Sequence, residues 1–196
     1  MKTSNLLILL LLILLGLGGC STYNGLVNKD EAVNQAWANV QSAYQRRADL
    51  IPNLVETVKG YAEHEKSTLR EVVEARAKAT AVTIDPSNLT PEKLRQFQEA
   101  QNNLSGALSR LLVTVERYPE LKANQNFLEL QSQLEGTENR IKVARDKFNE
   151  TVRIYNQAVR RFPNNLFAGM FGFHRRTMFE AQPGAETAPK VDFSTH

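Results

Sequence analysis

The sequence predicts an all-α protein, an up-and-down antiparallel bundle of long helices. Apolar residues recur at alternating steps of three and four, which is the spacing of helices that pack along one seam. No stretch alternates apolar and polar residues in the way a half-buried strand does. The 196 residues include only 10 Gly and 7 Pro, and so few helix breakers favour long helices.

The first twenty residues have the pattern of an export signal. Lys2 is the only charged residue before Lys29, residues 6–15 are all Leu or Ile, and three of the four residues before Cys20 are glycines. This apolar stretch is shorter than the roughly 20 residues that cross a bilayer as a helix. Residues 17–20 (Leu-Gly-Gly-Cys) also resemble a bacterial lipobox, in which the chain is cut before the cysteine and its sulfur receives a diacylglyceryl group.

The sequence therefore predicts a lipoprotein signal peptide over residues 1–19, lipid attachment at Cys20 and a tether over residues 20–29. Two or three acyl chains are enough for stable attachment to a membrane. In a Gram-negative source, Ser21 after the cysteine favours the outer membrane, with the protein facing the periplasm. In a Gram-positive source, the anchored chain would lie on the extracytoplasmic face of the cell membrane.

Residues 30–162 are predicted to form the bundle from three helical segments, at about 30–81, 91–117 and 119–161. The breaker-rich stretch 84–88 separates the first two. Thr90 and Pro91 make a strong helix start, and Pro119 forces a reversal after Tyr118.

Pro52 is the one irregularity inside a predicted seam, because a proline in a helix interior costs about 3 kcal/mol. Two arrangements remain open. A break near Pro52 gives a four-helix bundle of better matched lengths, which we favour, and a kink there gives a three-helix bundle.

Phenylalanine is concentrated at the carboxyl-terminal end of the predicted bundle. Five of the nine phenylalanines lie between residues 162 and 180: Phe162, Phe167, Phe171, Phe173 and Phe179. Residues 163–180 are predicted either to cap one end of the bundle or to form an interfacial membrane segment or partner-binding surface, with Phe171 and Phe173 as candidate contacts. Residues 181–196 read as a disordered tail.

Polar residues interrupt the seams at Arg47, Glu65, Gln101 and Thr137. Buried polar groups of this kind fix helix register more often than they add stability, and an acid on a facing helix is the expected partner of Arg47. A polar binding groove is the alternative.

A cluster of charged and polar residues beside Pro52 supplies the second group of candidate partner-binding residues, after Phe171 and Phe173. The residues are Arg46, Arg47, Asp49 and Asn53.

Several stretches together resemble the LemA family of bacterial envelope proteins. They are residues 23–27, 36–40, 44–55, 58–61, 64–65, 117–124, Phe127 and 155–156. The resemblance implies an all-helical bundle outside the cytoplasm, with no established enzyme activity. It implies a role in envelope or membrane organisation with an envelope protein partner, an HtpX-type membrane protease being one candidate. Many members use an amino-terminal transmembrane helix, and the lipobox departs from that pattern.

The residues offer little for catalysis or cofactor binding. His64 and Glu65 lack the second histidine of a zinc-protease motif, no Gly-rich phosphate loop occurs, and the single cysteine excludes a disulfide framework. A net charge of +3 is too small to favour nucleic acid. We therefore expect a non-enzymatic scaffold or binding module without metal or cofactor. A protease adaptor or a hydrolase with an unrecognised site are the alternatives, and homo-oligomers remain open.

Overall fold

The computed structural model describes residues 3–62 and 64–180, with the backbone alone for residues 3–17 and Ser87. Six α-helices lie within these residues: α1 Thr3–Lys59, α2 Lys66–Ala81, α3 Pro91–Val115, α4 Pro119–Lys122, α5 Gln125–Arg160 and α6 Asn164–Met170. A short 3₁₀ turn covers Pro86–Asn88, and the described residues contain no strand. The predicted all-α class is confirmed.

The four long helices α1, α2, α3 and α5 form the bundle. Helix α1 packs mainly along α5, and α2 packs mainly along α3. The caps predicted from the sequence are present, since the Thr90 hydroxyl accepts from the Lys93 backbone N–H at 3.3 Å and Pro91 begins α3. Asn124 caps α5 in the same way, by accepting from the Phe127 N–H at 3.1 Å.

The predicted break at Pro52 is wrong in position. Helix α1 continues through Pro52, and the interruption that creates the fourth helix lies between Lys59 and Lys66. Proline removes the N–H that would bond the Ala48 carbonyl one turn earlier. The Arg76 guanidinium on α2 replaces it, because its Nε donates to the Ala48 oxygen at 2.7 Å. Pro52 itself lies on the exposed side of the helix.

The segment predicted as a tether is part of α1. Residues 20–29 are helical, and Leu26 is only 1% exposed within the core. No helix is both long and apolar enough to cross a membrane within the part of the chain that the structure describes.

The core consists of two apolar clusters stacked along the bundle axis. The N-terminal cluster contains Trp37, Phe97 and Phe148. The distal cluster contains Leu54, Leu111 and other side chains from all four long helices. The polar seam residues Arg47, Gln101 and Thr137 fall between the two clusters on α1, α3 and α5, so they form one polar layer.

Helix α2 contributes to the distal cluster alone, and the carboxyl-terminal segment packs against the N-terminal cluster. The Phe179 ring lies 5.9 Å from the Trp37 ring and 5.5 Å from the Phe148 ring, centroid to centroid. Residues 173–180 therefore pack along the side of the bundle where α2 does not reach.

Two asparagines on α5 hold this segment by its backbone. Asn156 bonds both the N–H and the C=O of Arg176, each at 2.8 Å. Asn149 bonds both groups of Phe179, at 2.9 and 3.1 Å. Seven residues of helix rise by about 10.5 Å and three residues of extended chain by about 10 Å. The two asparagines are therefore spaced to match an extended chain running antiparallel to α5.

Candidate functional site

Arg47 is the centre of the polar layer and is 1% exposed. Its Nη1 donates to Glu138 Oε1 and to Ser105 Oγ, both at 2.8 Å. Its Nη2 donates to the backbone and side-chain oxygens of Gln101. Glu138 on α5 is the acid on a facing helix that the sequence leads us to expect, and its half-exposed side chain connects the buried guanidinium to solvent.

Gln101 extends the layer to the remaining long helix. Its Nε2 donates to the Ala79 carbonyl near the end of α2, at 3.3 Å. Thr137, also buried, satisfies its hydroxyl within α5 by donating to the Gln133 carbonyl at 2.7 Å. Side chains of the layer therefore join α1, α2, α3 and α5 at one level of the bundle.

Glu65, the fourth polar seam residue, lies apart from the layer. It accepts from Arg117 Nη2 at 2.8 Å and from the Tyr118 hydroxyl at 3.1 Å. These contacts connect the start of α2 with the turn after α3. Burial and the adjacent Glu65 raise the pKa of Tyr118.

A groove of about 570 Å³ opens beside the polar layer. Its walls are Tyr44, Arg47, Gln101, Asn102, Ser105, Glu138, Ile141 and Arg145. Burial raises the pKa of Tyr44, and the neighbouring arginines oppose that rise. The described residues contain no group of three or more His, Cys, Asp or Glu side chains able to hold a metal ion.

The other candidates near Pro52 lie on the outside of α1. Arg46, Asp49 and Asn53 are exposed, and Asp49 accepts a hydrogen bond from Gln45 Nε2 at 2.7 Å. Arg47 differs from them, because its guanidinium is inside the bundle and offers almost no surface to a partner. The structure thus separates four candidates that are close together in sequence.

Cys20, Phe171 and Phe173 lie at the opposite end of α1 from Pro52. Cys20 is exposed. One turn further along α1, the Tyr23 ring contacts Phe171 at 5.0 Å and Phe173 at 5.7 Å between centroids. Phe167 of α6 lies beside Gly19, where an added Cβ would be 3.4 Å from the ring. The structure therefore brings the predicted lipid-attachment residue together with the Phe-rich segment.

This end of the molecule exposes large apolar side chains. Phe162 is 75% exposed, Leu166 61% and Met170 76%. Phe171 and Met178 are also exposed, although less so. Exposed apolar side chains grouped in this way usually mark an interaction surface.

A charged bridge fixes the carboxyl-terminal segment to α1. The Arg176 guanidinium donates to both Asp30 oxygens, at 2.8 to 3.1 Å, and to the Pro86 carbonyl at 2.8 Å. Burial, and then the Asp30 carboxylate, raise the pKa of the adjacent Tyr155 to about 12. Arg176 and Asp30 are 146 residues apart, and nothing in the sequence indicates that they form a pair.

Comparison with known proteins places this chain in a family. The LemA family model matches residues 36–193. Magnetosome protein MamQ of Magnetospirillum gryphiswaldense is 26% identical, with 84% of this chain and 67% of the relative covered. Magnetosome protein MamQ 2 of Paramagnetospirillum magneticum is 25% identical over the same shares, and Protein LemA of Metamycoplasma hominis is 23% identical over 81% of this chain and 68% of its own. Because the family model matches most of its length, the chain belongs to the LemA family.

Proposed function

We propose that this protein is a lipid-anchored, non-enzymatic component of the cell envelope that acts as a scaffold or binding module beside a membrane. Its location would be the extracytoplasmic side, facing the periplasm and favouring the outer membrane in a Gram-negative cell. Support comes from the lipobox-like residues 17–20 and from the polar layer, whose groups bond one another across the helices in a pattern that fixes register.

One observation carries the proposal. Cys20 belongs to the same continuous helix as the core residues Leu26 and Trp37, and it lies beside the exposed Phe-rich end of the molecule. A lipid on Cys20 would therefore place this end of the bundle, with its exposed apolar side chains, nearest the bilayer.

The test is metabolic labelling of the full chain with palmitate in a bacterial host, together with mass spectrometry of the mature amino terminus. We expect incorporated label and an acylated first residue at Cys20. Cys20→Ser should remove the label, whereas the matched neighbour Ser21→Ala should retain it. An unlabelled wild-type chain that begins at Met1 would contradict the anchor.

We further propose that the exposed residues Arg46, Asp49 and Asn53 contact an envelope protein partner. Photocrosslinking in cells from Arg46 and Asn53, with Phe171 as a probe at the other end, would capture it. Recovery of a membrane protease of the HtpX type would support an adaptor role. A second copy of this chain as the sole product would instead assign the surface to a homo-oligomer.

A further inference from the structure

A groove rich in arginine lies near the end of α5. Its volume is about 540 Å³, and its walls are Arg153, Asn156, Gln157, Arg160, Arg161, Arg175 and Met178. Helix α5 supplies most of these residues, and the carboxyl-terminal segment supplies Arg175 and Met178. Asn156 bonds the backbone of Arg176, and so it fixes the adjacent Arg175 against α5.

The positive charge of this groove is largely uncompensated. Arg153 pairs with Glu150 at 2.8 Å. Among the residues that the structure describes, no ion pair involves Arg160, Arg161 or Arg175, and all three are exposed. The next arginine, Arg176, is by contrast bound to Asp30. Within the described part of the chain, three exposed guanidinium groups therefore have no acidic partner.

An exposed apolar face lies next to these arginines in the chain. Phe162 precedes α6, and Leu166 and Met170 lie four residues apart within it. Each of the three is more than half exposed. The step of four places Leu166 and Met170 on one face of α6. An apolar face bordered by arginines is typical of segments that lie at a membrane surface.

The groove is at the Cys20 end of the bundle. Arg176 donates to Asp30 of α1 through its guanidinium and to Asn156 of α5 through its backbone N–H. Asp30 and Asn156 therefore lie at about the same height along the bundle axis. Since α5 runs antiparallel to α1, Arg160 lies beyond that level in the direction of Cys20. Ten helical residues from Asp30 to Cys20 span about 15 Å. This step rests on the proposed function, because it takes the lipid on Cys20 to mark the membrane side.

We propose that this groove binds the phosphate of anionic phospholipid headgroups in the membrane to which the chain is anchored. Arginine binds phosphate through paired N–H donors, and the anionic surface attracts clustered basic side chains. Phe162, Leu166 and Met170 enter the boundary between headgroups and acyl chains, while the arginine stems extend along the same surface. The bundle is thereby held in one orientation, which a flexible lipid anchor alone does not impose.

The test uses the purified full chain reconstituted into phosphatidylcholine vesicles with and without phosphatidylglycerol. Flotation measures anchoring, and amide hydrogen exchange of residues 160–178 measures engagement of the groove. We expect equal flotation with both vesicles, and exchange at least about threefold slower when phosphatidylglycerol is present. The triple variant R160Q/R161Q/R175Q should lose this protection.

The matched control R70Q/R95Q/R140Q removes the same charge from exposed positions elsewhere, and it should keep the protection. Thermal unfolding verifies that both triple variants fold. Equal exchange in both vesicles, or equal loss of protection in the control, would overturn the proposal. Protection by inorganic phosphate added to phosphatidylcholine vesicles would assign the groove to a soluble anion and overturn the lipid assignment.

Different results would refute the proposed lipid anchor and the proposed phosphate-binding groove. Flotation with both vesicles but no difference in exchange would leave the anchor standing and refute the groove. Flotation only with phosphatidylglycerol, lost in R160Q/R161Q/R175Q, would support the groove and refute the anchor. Absence of flotation with either vesicle would refute both.

Discussion

Arg47 shows how one buried charge can be accommodated in a helical bundle. Its two terminal nitrogens have four acceptors, and the Tyr44 ring lies 5.1 Å from the guanidinium carbon. The buried Nε has no hydrogen-bond acceptor among the described residues. Removing one partner of such a network is expensive, because the others remain buried without their bonds.

The first prediction compares two adjacent arginines. Arg47→Met should lower the free energy of unfolding by about 3 kcal/mol, because it leaves Gln101 and Ser105 without their donor. Arg46→Met, on the exposed side of the same turn, should change it by less than about 0.5 kcal/mol. Urea unfolding measured by circular dichroism tests both. Equal stability of the two variants would show that the layer adds nothing to stability.

The second prediction concerns alkaline pH and Tyr155. Its pKa in the folded protein is about 12, against about 10 in an unfolded chain. The stability that this raised pKa gives to the folded protein is therefore fully present below pH 10. It is lost as the pH rises toward 12, because Tyr155 releases its proton in the unfolded chain before it does so in the folded protein. Between pH 10 and pH 12 the free energy of unfolding of Tyr155→Phe should therefore fall less than that of the wild type, by up to about 3 kcal/mol. Urea unfolding at each pH measures the free energy of unfolding of both proteins. An equal fall in the two proteins would contradict a raised pKa for Tyr155.

At the scale of single helices, α1 shows how a proline can be accepted inside a long helix. The missing N–H of Pro52 leaves the Ala48 carbonyl free, and Arg76 of the neighbouring helix supplies the donor. The same contact ties α2 to α1. One hydrogen bond thus both repairs the helix and fixes the packing of its neighbour.

The third prediction is a double-mutant cycle on this contact. Arg76→Met should destabilise the wild type by about 1 to 3 kcal/mol, because it leaves the Ala48 carbonyl unbonded. In a Pro52→Ala background the alanine N–H can bond that carbonyl, so Arg76→Met should have a smaller effect. Thermal or urea unfolding of the four proteins gives the coupling energy. Additive effects would show that Arg76 and Pro52 act independently.

Pro52 also marks the limit of prediction from sequence. The periodic seams, the cap at Thr90 and the reversal at Pro119 are sufficient to predict an all-α bundle. Sequence alone misplaces the helix boundary, because local propensity treats proline as a breaker and the compensating donor comes from Arg76, 24 residues away. Sequence alone does not indicate the Arg176–Asp30 bridge for the same reason, since contacts between distant segments leave no local pattern.

At the scale of the whole molecule, the two apolar clusters are built differently. The distal cluster is enclosed by four helices, whereas the N-terminal cluster uses the carboxyl-terminal segment on the side that α2 does not reach. Phe179 is the main side chain that this segment adds, and Arg145 lies 4.5 Å from its ring centre. In the half of the bundle nearest Cys20, a non-helical segment therefore covers the core where α2 covers it in the distal half. Side-chain contacts hold that segment in place.

The fourth prediction compares adjacent residues of that segment. Phe179→Ala should destabilise the protein by about 3 to 4 kcal/mol, because it leaves a cavity beside Trp37 and Phe148. Met178→Ala, at an exposed position, should cost less than about 1 kcal/mol. In Phe179→Ala, amide hydrogen exchange should accelerate more around the N-terminal cluster than around the distal cluster. Uniform acceleration throughout the bundle would show that the two clusters unfold as one.

The continuity of α1 has a mechanical consequence. From Cys20 to Lys59 the chain is one helix without a hinge, about 59 Å long. Such a helix is a lever arm whose fulcrum would be at the bilayer, so a tilt of about 10° there would sweep its far tip through about 10 Å. Small changes in lean at the lipid surface would thus become large displacements at the distal end, where a protein partner could detect them.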